Sequence, residues 1–242
     1  MNTTQPASAA VREIVHHLEQ HGCAEHAAGA QRYFKETVKS YGWRAPDLRA
    51  YARTVHEALA ADQGLLMGVA ERLFAGKTLE EKALGVLVLQ PSLRRFGDAE
   101  FRRLEGWLTL VISWADHDAL ATYLLGPMIV ADPRRLKRPL RWAVSPDRWH
   151  KRAAAVSLIH GIRRGLFMEE ARAVTDRLLA DRDDMVQKGL GWLLREWAKH
   201  HPAEAVPVLL SIRGRASRLV LRTACEKLGA ADRQRILGRT SP

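Results

Sequence analysis

Apolar residues recur at i, i+3, i+4 and i+7 along almost the whole chain, and hardly any stretch alternates with the period of two that a half-buried strand requires. That periodicity restricts the chain to an all-α fold. A longer period is laid over it. A basic residue stands within the first two turns of one amphipathic run after another, in Glu81-Lys82-Ala83-Leu84, Lys151-Arg152-Ala153-Ala154, Gln187-Lys188-Gly189-Leu190 and Leu221-Arg222-Thr223-Ala224. The intervals are about 36 residues from Arg152 to Lys188, about 34 from Lys188 to Arg222 and about 70 from Lys82 to Arg152, which is one or two helix pairs each. Such spacing implies a helical-repeat solenoid whose units pack on their neighbours. A cation near a helix start opposes the macrodipole, so an anionic partner outside the fold is expected to compensate. Helix N-termini lined with Arg and Lys along one concave wall suit a phosphate backbone.

The charge balance points the same way. The 242 residues carry 38 Lys and Arg against 27 Asp and Glu, a formal net charge of +11, which favours duplex DNA or RNA over an acidic small molecule. Anionic membrane surfaces would attract such a chain, but its apolar stretches are broken by charges long before they reach the length of a spanning helix, so no membrane partner is expected. Residues 1–10 carry no hydrophobic segment behind a basic start, and a cytoplasmic protein, nucleoid-associated when on DNA, is expected. Cys23 and Cys225 read as buried small apolar residues of a reducing compartment. No CxxC pair or His-rich spacing suggests a metal, and nothing calls for a cofactor. His16-His17 and His200-His201 are adjacent, so each pair diverges on a helix, and they read as solvated faces. Nothing suggests a dimer interface, so a monomer is expected.

Helical runs are expected at about 8–21, 24–39, 46–60, 63–75, 79–89, 98–109, 113–126, 134–143, 147–164, 167–180, 182–200, 202–212, 215–228 and 230–237. Residues 1–7 read as a flexible tail. Ser145 before Pro146 and Asp132 before Pro133 are the expected N-caps, with Asp98 a third. Pro139 and Pro207 fall inside two of the runs, where they kink or split a helix. No Gly-, Ser- or Pro-rich linker divides the chain, so residues 1–242 read as one continuous array. The densest cationic segment, 132–139, suits either a solvated face or phosphate contact.

Three tryptophans stand beside charged residues in successive repeats: Ser113-Trp114-Ala115-Asp116-His117-Asp118, Trp149-His150-Lys151-Arg152 and Gly191-Trp192-Leu193-Leu194-Arg195-Glu196. Trp114 and Asp118 share a helix face at i and i+4, as do Trp192 and Arg195 at i and i+3. A flat π surface beside a carboxylate suits a cationic guest. Each piece also has an ordinary explanation: tryptophan as core, Asp118 as a helix-dipole partner, Arg152 and Arg195 as partners of glutamates on adjacent helices.

In this order, these residues resemble the AlkD-type family of HEAT-like DNA alkylation-repair glycosylases, from about Tyr33 to the helix holding Trp197. The motifs that carry the likeness are Ser113-Trp114 followed by Asp118, Trp149 to Ala154, and Gln187-Lys188 leading into Gly191 to Glu196; Tyr33-Phe34-Lys35 is a looser match. The resemblance implies a HEAT-like helical-repeat solenoid with a concave basic face. It implies a monofunctional base-excision-repair glycosylase that hydrolyses the N-glycosidic bond of cationic N3- or N7-alkylated purines in duplex DNA, without cofactor. Asp118 would be the catalytic carboxylate, Trp114 and Trp192 would contact the deoxyribose, Arg152 would hold phosphate, and Tyr33 would be a further member of the cleft. Lys82, Lys151, Lys188, Arg195 and Arg222 complete the expected DNA-binding set. The chain departs from the pattern at Ala115, where many members have an acidic residue directly after the first tryptophan.

Two other readings stay open from the residues alone: a non-catalytic protein that recognises distorted duplex through phosphates, and a helical scaffold for a protein partner. A strand-cutting lyase step would need an amine at the sugar. Lys151 and Lys188 are read instead as phosphate contacts, and no lyase step is expected.

Overall fold

The structure, a computed structural model, describes residues 4–238, and of residue 4 only the backbone. Those residues form α-helices joined by short turns, and the one extended pairing among them is a lone bridge between Lys39 and Thr78. The all-α helical-repeat fold is therefore as the periodicity requires. The chain folds as two compact units that divide between Leu124 and Leu125.

The first unit holds α1 (Thr4–Gln20), α2 (Ala24–Ala30), α3 (Ala45–Leu59), α4 (Gln63–Phe74), α5 (Leu79–Leu87), α6 (Asp98–Gly106) and α7 (Trp114–Leu120). Its core is centred on α4, where Leu66, Met67, Val69, Ala70, Leu73 and Phe74 are all buried and Phe74 stacks on Trp107 with ring centroids 4.7 Å apart. α5 packs against α3, α4 and α7, so the short α7 is held on one of the best-buried helices of the unit.

The second unit holds α8 (Gly126–Ala131), α9 (Lys137–Trp142), α10 (Arg148–Val156), α11 (Ile159–Ile162), α12 (Met168–Leu178), α13 (Asp184–His200), α14 (Pro202–Ile212), α15 (Arg218–Ala224) and α16 (Ala230–Leu237). α13 buries Val186, Leu190, Leu193, Leu194 and Trp197, one apolar face at helical spacing, and packs against both α10 and α15. Glycines at two positions permit that closeness. A Cβ at Gly189 would lie 2.9 Å from Arg152 Cγ on α10, and one at Gly191 would lie 3.0 Å from Thr223 Cβ on α15. The three helices that carry Arg152, Lys188 and Arg222 thus stack in chain order, which is the physical content of the 34–36-residue period.

Several local expectations change. The first helix begins at Thr4, and Ala7 is wholly buried, so the expected tail is helical over residues 4–7; residues 1–3 lie outside the described residues. The run expected over 24–39 ends as α2 and a 3₁₀ turn at Gln31–Tyr33, and the chain then runs extended. The side chain of Gln31 satisfies backbone groups of this segment, accepting from the Val38 amide at 3.0 Å and donating to the Phe34 and Glu36 carbonyls at 3.2 and 2.8 Å. Just beyond it the buried Glu80 carboxylate on α5 accepts from Ser40 Oγ at 2.6 Å and from the amides of Tyr41, Gly42 and Trp43 at 2.9–3.2 Å. Those amides need no helical carbonyl once a carboxylate satisfies them. Asp132 caps the turn Pro133–Leu136 as expected, with its Oδ1 3.1 Å from the Arg134 amide. Ser145 does not cap α10; Asp147 does, accepting from the His150 amide at 2.9 Å, and Pro146 lies outside the helix. Gly97 holds the cap position before α6, with Asp98 as the first helical residue. The run over 134–143 is split into a 3₁₀ turn and α9, whereas α14 continues through Pro207. Cys225 is buried and Cys23 half-buried. His17 is half-buried, stacked between His21 and Tyr51 rather than solvated, and His201 is half-buried too. No helix among the described residues is long and apolar enough to cross a membrane.

Candidate active site

Within the first unit, α7 begins with a buried polar network. Ser113 stands at the N-cap, and the Asp116 carboxylate accepts from the Ser113 amide at 2.8 Å, from the Ile112 amide at 2.9 Å and from the Ser113 hydroxyl. Donors that the first turn of a helix leaves open are thereby satisfied, and an anion sits at the positive end of the dipole. Asp116 is itself buried, and Lys82 Nζ lies 3.9 Å from its Oδ2.

Lys82 is a correction to the expected DNA-binding set. It is 1% exposed, and its ammonium donates to the carbonyls of Phe74 at 2.7 Å and Leu110 at 2.8 Å, 4.8 Å above the Phe74 ring centroid. Phe74 ends α4 and Leu110 ends a 3₁₀ turn, so the cation sits where helical carbonyls are unmet and the dipole is negative. Burial lowers the pKa of Lys82 against the opposing pull of Asp116 and Glu81. The compensating partners lie inside the fold, not in a bound phosphate.

The rest of α7 carries the expected chemistry. Trp114 is half-buried, stacked on Phe34 at 5.1 Å with an interplanar angle of 17°, and its Nε1 donates to the Tyr33 carbonyl at 3.4 Å. The Tyr33 side chain itself is 76% exposed, so its backbone rather than its ring meets Trp114. Asp118, one turn beyond Trp114, has a side chain 16% exposed, and its Oδ1 lies 2.7 Å from Nδ1 of the wholly buried His117. Its carbonyl accepts from Thr122 Oγ1 at 2.6 Å, at the π turn Ala121–Leu125 that follows.

Within the second unit the expected cations fall into two kinds. Arg152 is 5% exposed, packs against Gly189, and donates from Nη1 to the Met185 carbonyl at 2.6 Å. In this structure it therefore joins α10 to α13, and the phosphate contact expected of it would require it to reach out from the interior. The others lie nearer the surface in ion pairs: Lys151 with Asp181 at 2.7 Å, Lys188 with Asp184 at 2.7 Å, and Arg195 with Glu226 at 2.9 Å. Arg222 on α15 is exposed. Burial alone would raise the Asp181 pKa, but the Lys151 bond outweighs it and the group is held below its usual range.

Trp192 is half-buried on α13, and its Nε1 donates to Glu196 Oε1 at 3.3 Å, one turn on. Glu196 is buried and takes Arg163 Nε on its other oxygen at 2.8 Å. Burial pushes its pKa up, yet the Arg163 hydrogen bond and charge, with Trp192 and Arg195, bring it below the ordinary value.

Three of these residues escape a reading for function. Asp116 carries a legible signal, since Ser113-x-x-Asp116 is a capping pattern. Glu196 stands at i+4 from Trp192, a spacing that allows the bond without announcing it. His117 has no signal at all.

The sequence matches the DNA alkylation repair enzyme family over residues 14–228. No curated protein sequence matches it. Among solved structures, one described as a predicted DNA alkylation repair enzyme from Enterococcus faecalis is similar, with a TM-score of 0.78 over 86% of this chain and 97% of that one, at 16% identity. At that identity the likeness speaks for the helical fold, and the family match covers both compact units. The chain belongs to the DNA alkylation repair enzyme family, and its role is accordingly in the repair of alkylation damage, with DNA as its partner.

Proposed function

We propose that the protein is a monofunctional DNA glycosylase that hydrolyses the N-glycosidic bond of cationic N3- and N7-alkylated purines in duplex DNA. The observation that carries this reading is Asp118: a carboxylate that reaches the surface from α7, one turn from the half-buried Trp114.

Alkylation at a ring nitrogen gives the purine a positive charge, so it leaves readily and needs no strong general acid. The demand falls on the sugar. As the bond to the base lengthens, the deoxyribose becomes oxocarbenium-like, and the Asp118 carboxylate stabilises that charge and orients a water. Water adds at the anomeric carbon, its proton is lost to solvent, and the base departs with the electrons of the broken bond. An indole face beside a developing cation adds about 0.5–2 kcal/mol, a contribution that falls to Trp114 on the same helix as Asp118. Lys151, Lys188, Arg195 and Arg222 serve the phosphates, the first three by exchanging a carboxylate partner for DNA. A monomer acting on chromosomal DNA in the cytoplasm completes the proposal.

The test is a duplex containing 7-methylguanine, with chromatography of the free bases. Wild-type protein releases 7-methylguanine and leaves hypoxanthine, an uncharged lesion, in place. Asp118→Asn lowers release by at least about a hundredfold, or about 3 kcal/mol of transition-state stabilisation, and leaves duplex affinity unchanged or higher. Equal release of the charged and the neutral lesion would remove the leaving-group argument.

A further inference from the structure

His117 and Asp118 are consecutive in α7, yet they stand in different surroundings: the imidazole is 0% exposed, and the carboxylate reaches the surface. Consecutive side chains on a helix ordinarily diverge. Here both are short enough to turn toward each other, and Nδ1 comes within 2.7 Å of Oδ1. An ionised carboxylate has only acceptors to offer, so the proton belongs to Nδ1 and the imidazole donates. Packing of α7 on α5 and the Ser113–Asp116 cap fix the helix that holds the ring. The ring is therefore a rigid donor to a carboxylate whose side chain is 16% exposed.

We infer that His117 is the positioning residue of the Asp118 carboxylate: its buried Nδ1–H holds one carboxylate oxygen and so sets the direction in which the group meets the sugar. This rests on the proposal that Asp118 is the catalytic carboxylate. Electrostatic stabilisation of an oxocarbenium-like sugar depends on a charge already in place, and a carboxylate held to within about 0.5 Å delivers it without reorganisation. His117 touches neither substrate nor water in this scheme.

Two amide variants separate positioning from packing. Asparagine sets an N–H close to the place of Nδ1, whereas glutamine is nearer to histidine in size but sets its N–H one bond farther out. With duplex containing 7-methylguanine under single-turnover conditions, His117→Asn keeps base release within about threefold, and His117→Gln slows it about ten- to a hundredfold, as loss of one hydrogen bond to a charged acceptor implies. Duplex affinity stays within about twofold for both. Equal rates for the two variants, or a faster glutamine variant, would overturn the inference, because a packing role favours the larger side chain. A second measurement needs no change at His117: imidazole nitrogen NMR of the wild-type protein shows a protonated, hydrogen-bonded Nδ1 whose resonance moves in Asp118→Asn. An unprotonated Nδ1 would equally overturn it. Asp118→Asn in the release assay distinguishes the two proposals: inactivity there with equal His117 variants removes positioning and leaves the glycosylase, whereas full activity there removes both.

Discussion

The helix that carries Asp118 rests on a buried lysine, whereas the helix that carries Trp192 is edged by cations in surface ion pairs. Lys82 and Lys188 occupy like places in the sequence period, yet one ammonium is closed in by two backbone carbonyls and the other reaches Asp184 one turn back on its own helix. The period therefore fixes residue type but not where the charge goes. What decides is the neighbouring backbone. Lys82 sits against the last carbonyl of α4, an acceptor the helix leaves unmet, whereas Lys188 donates to the Asp184 carboxylate. Arg152 repeats the lesson within the second unit, turning inward beside the half-buried Lys151, with Gly189 leaving room for its stem.

The contrast is sharpest in its energetics. Lys82→Met leaves two carbonyls without their donor and the buried Asp116 without its cation, so it should cost about 3–5 kcal/mol of stability by denaturant unfolding. Lys188→Ala removes an exposed i,i+4 pair and should cost no more than about 0.5 kcal/mol. In DNA binding the order reverses. Lys188→Ala should weaken duplex affinity several-fold and lower the slope of log K against log salt by about 0.9, one phosphate contact, whereas Lys82→Met should leave that slope unchanged while the protein stays folded. A salt slope that falls in Lys82→Met and not in Lys188→Ala would break the comparison.

The smallest expected effect concerns Glu196. Its folded pKa lies below the ordinary value of 4.5, so the stability it contributes is present above about pH 4.5 and is lost as pH falls through the folded value. Glu196→Gln should therefore lower stability modestly near neutrality and flatten the acid limb, with the variant and the wild type converging at low pH. An unchanged acid limb would mean that Arg163, Trp192 and Glu196 do not act as one network.

Helix identity and the stacking period are readable in the sequence because apolar spacing is a local signal that packing reinforces, as on α13. Residues 34–39 are not, because the Gln31 side chain supplies backbone partners to Phe34, Glu36 and Val38 that apolar spacing does not announce. Trp114 and Asp118 are readable by their one-turn spacing. The contribution of His117 is hidden, since adjacency on a helix usually separates side chains, and the inward course of Lys82 and Arg152 is hidden because a basic residue in a repeat reads alike whether it meets phosphate or carbonyl.

The central claim is that Asp118 does chemistry on the sugar of a charged lesion. Duplex containing 7-methylguanine, incubated with wild-type protein and with Asp118→Asn and resolved for free base, tests it directly. The wild type should release 7-methylguanine and the variant essentially none, with both bound to the duplex; release at the same rate from both would contradict the claim.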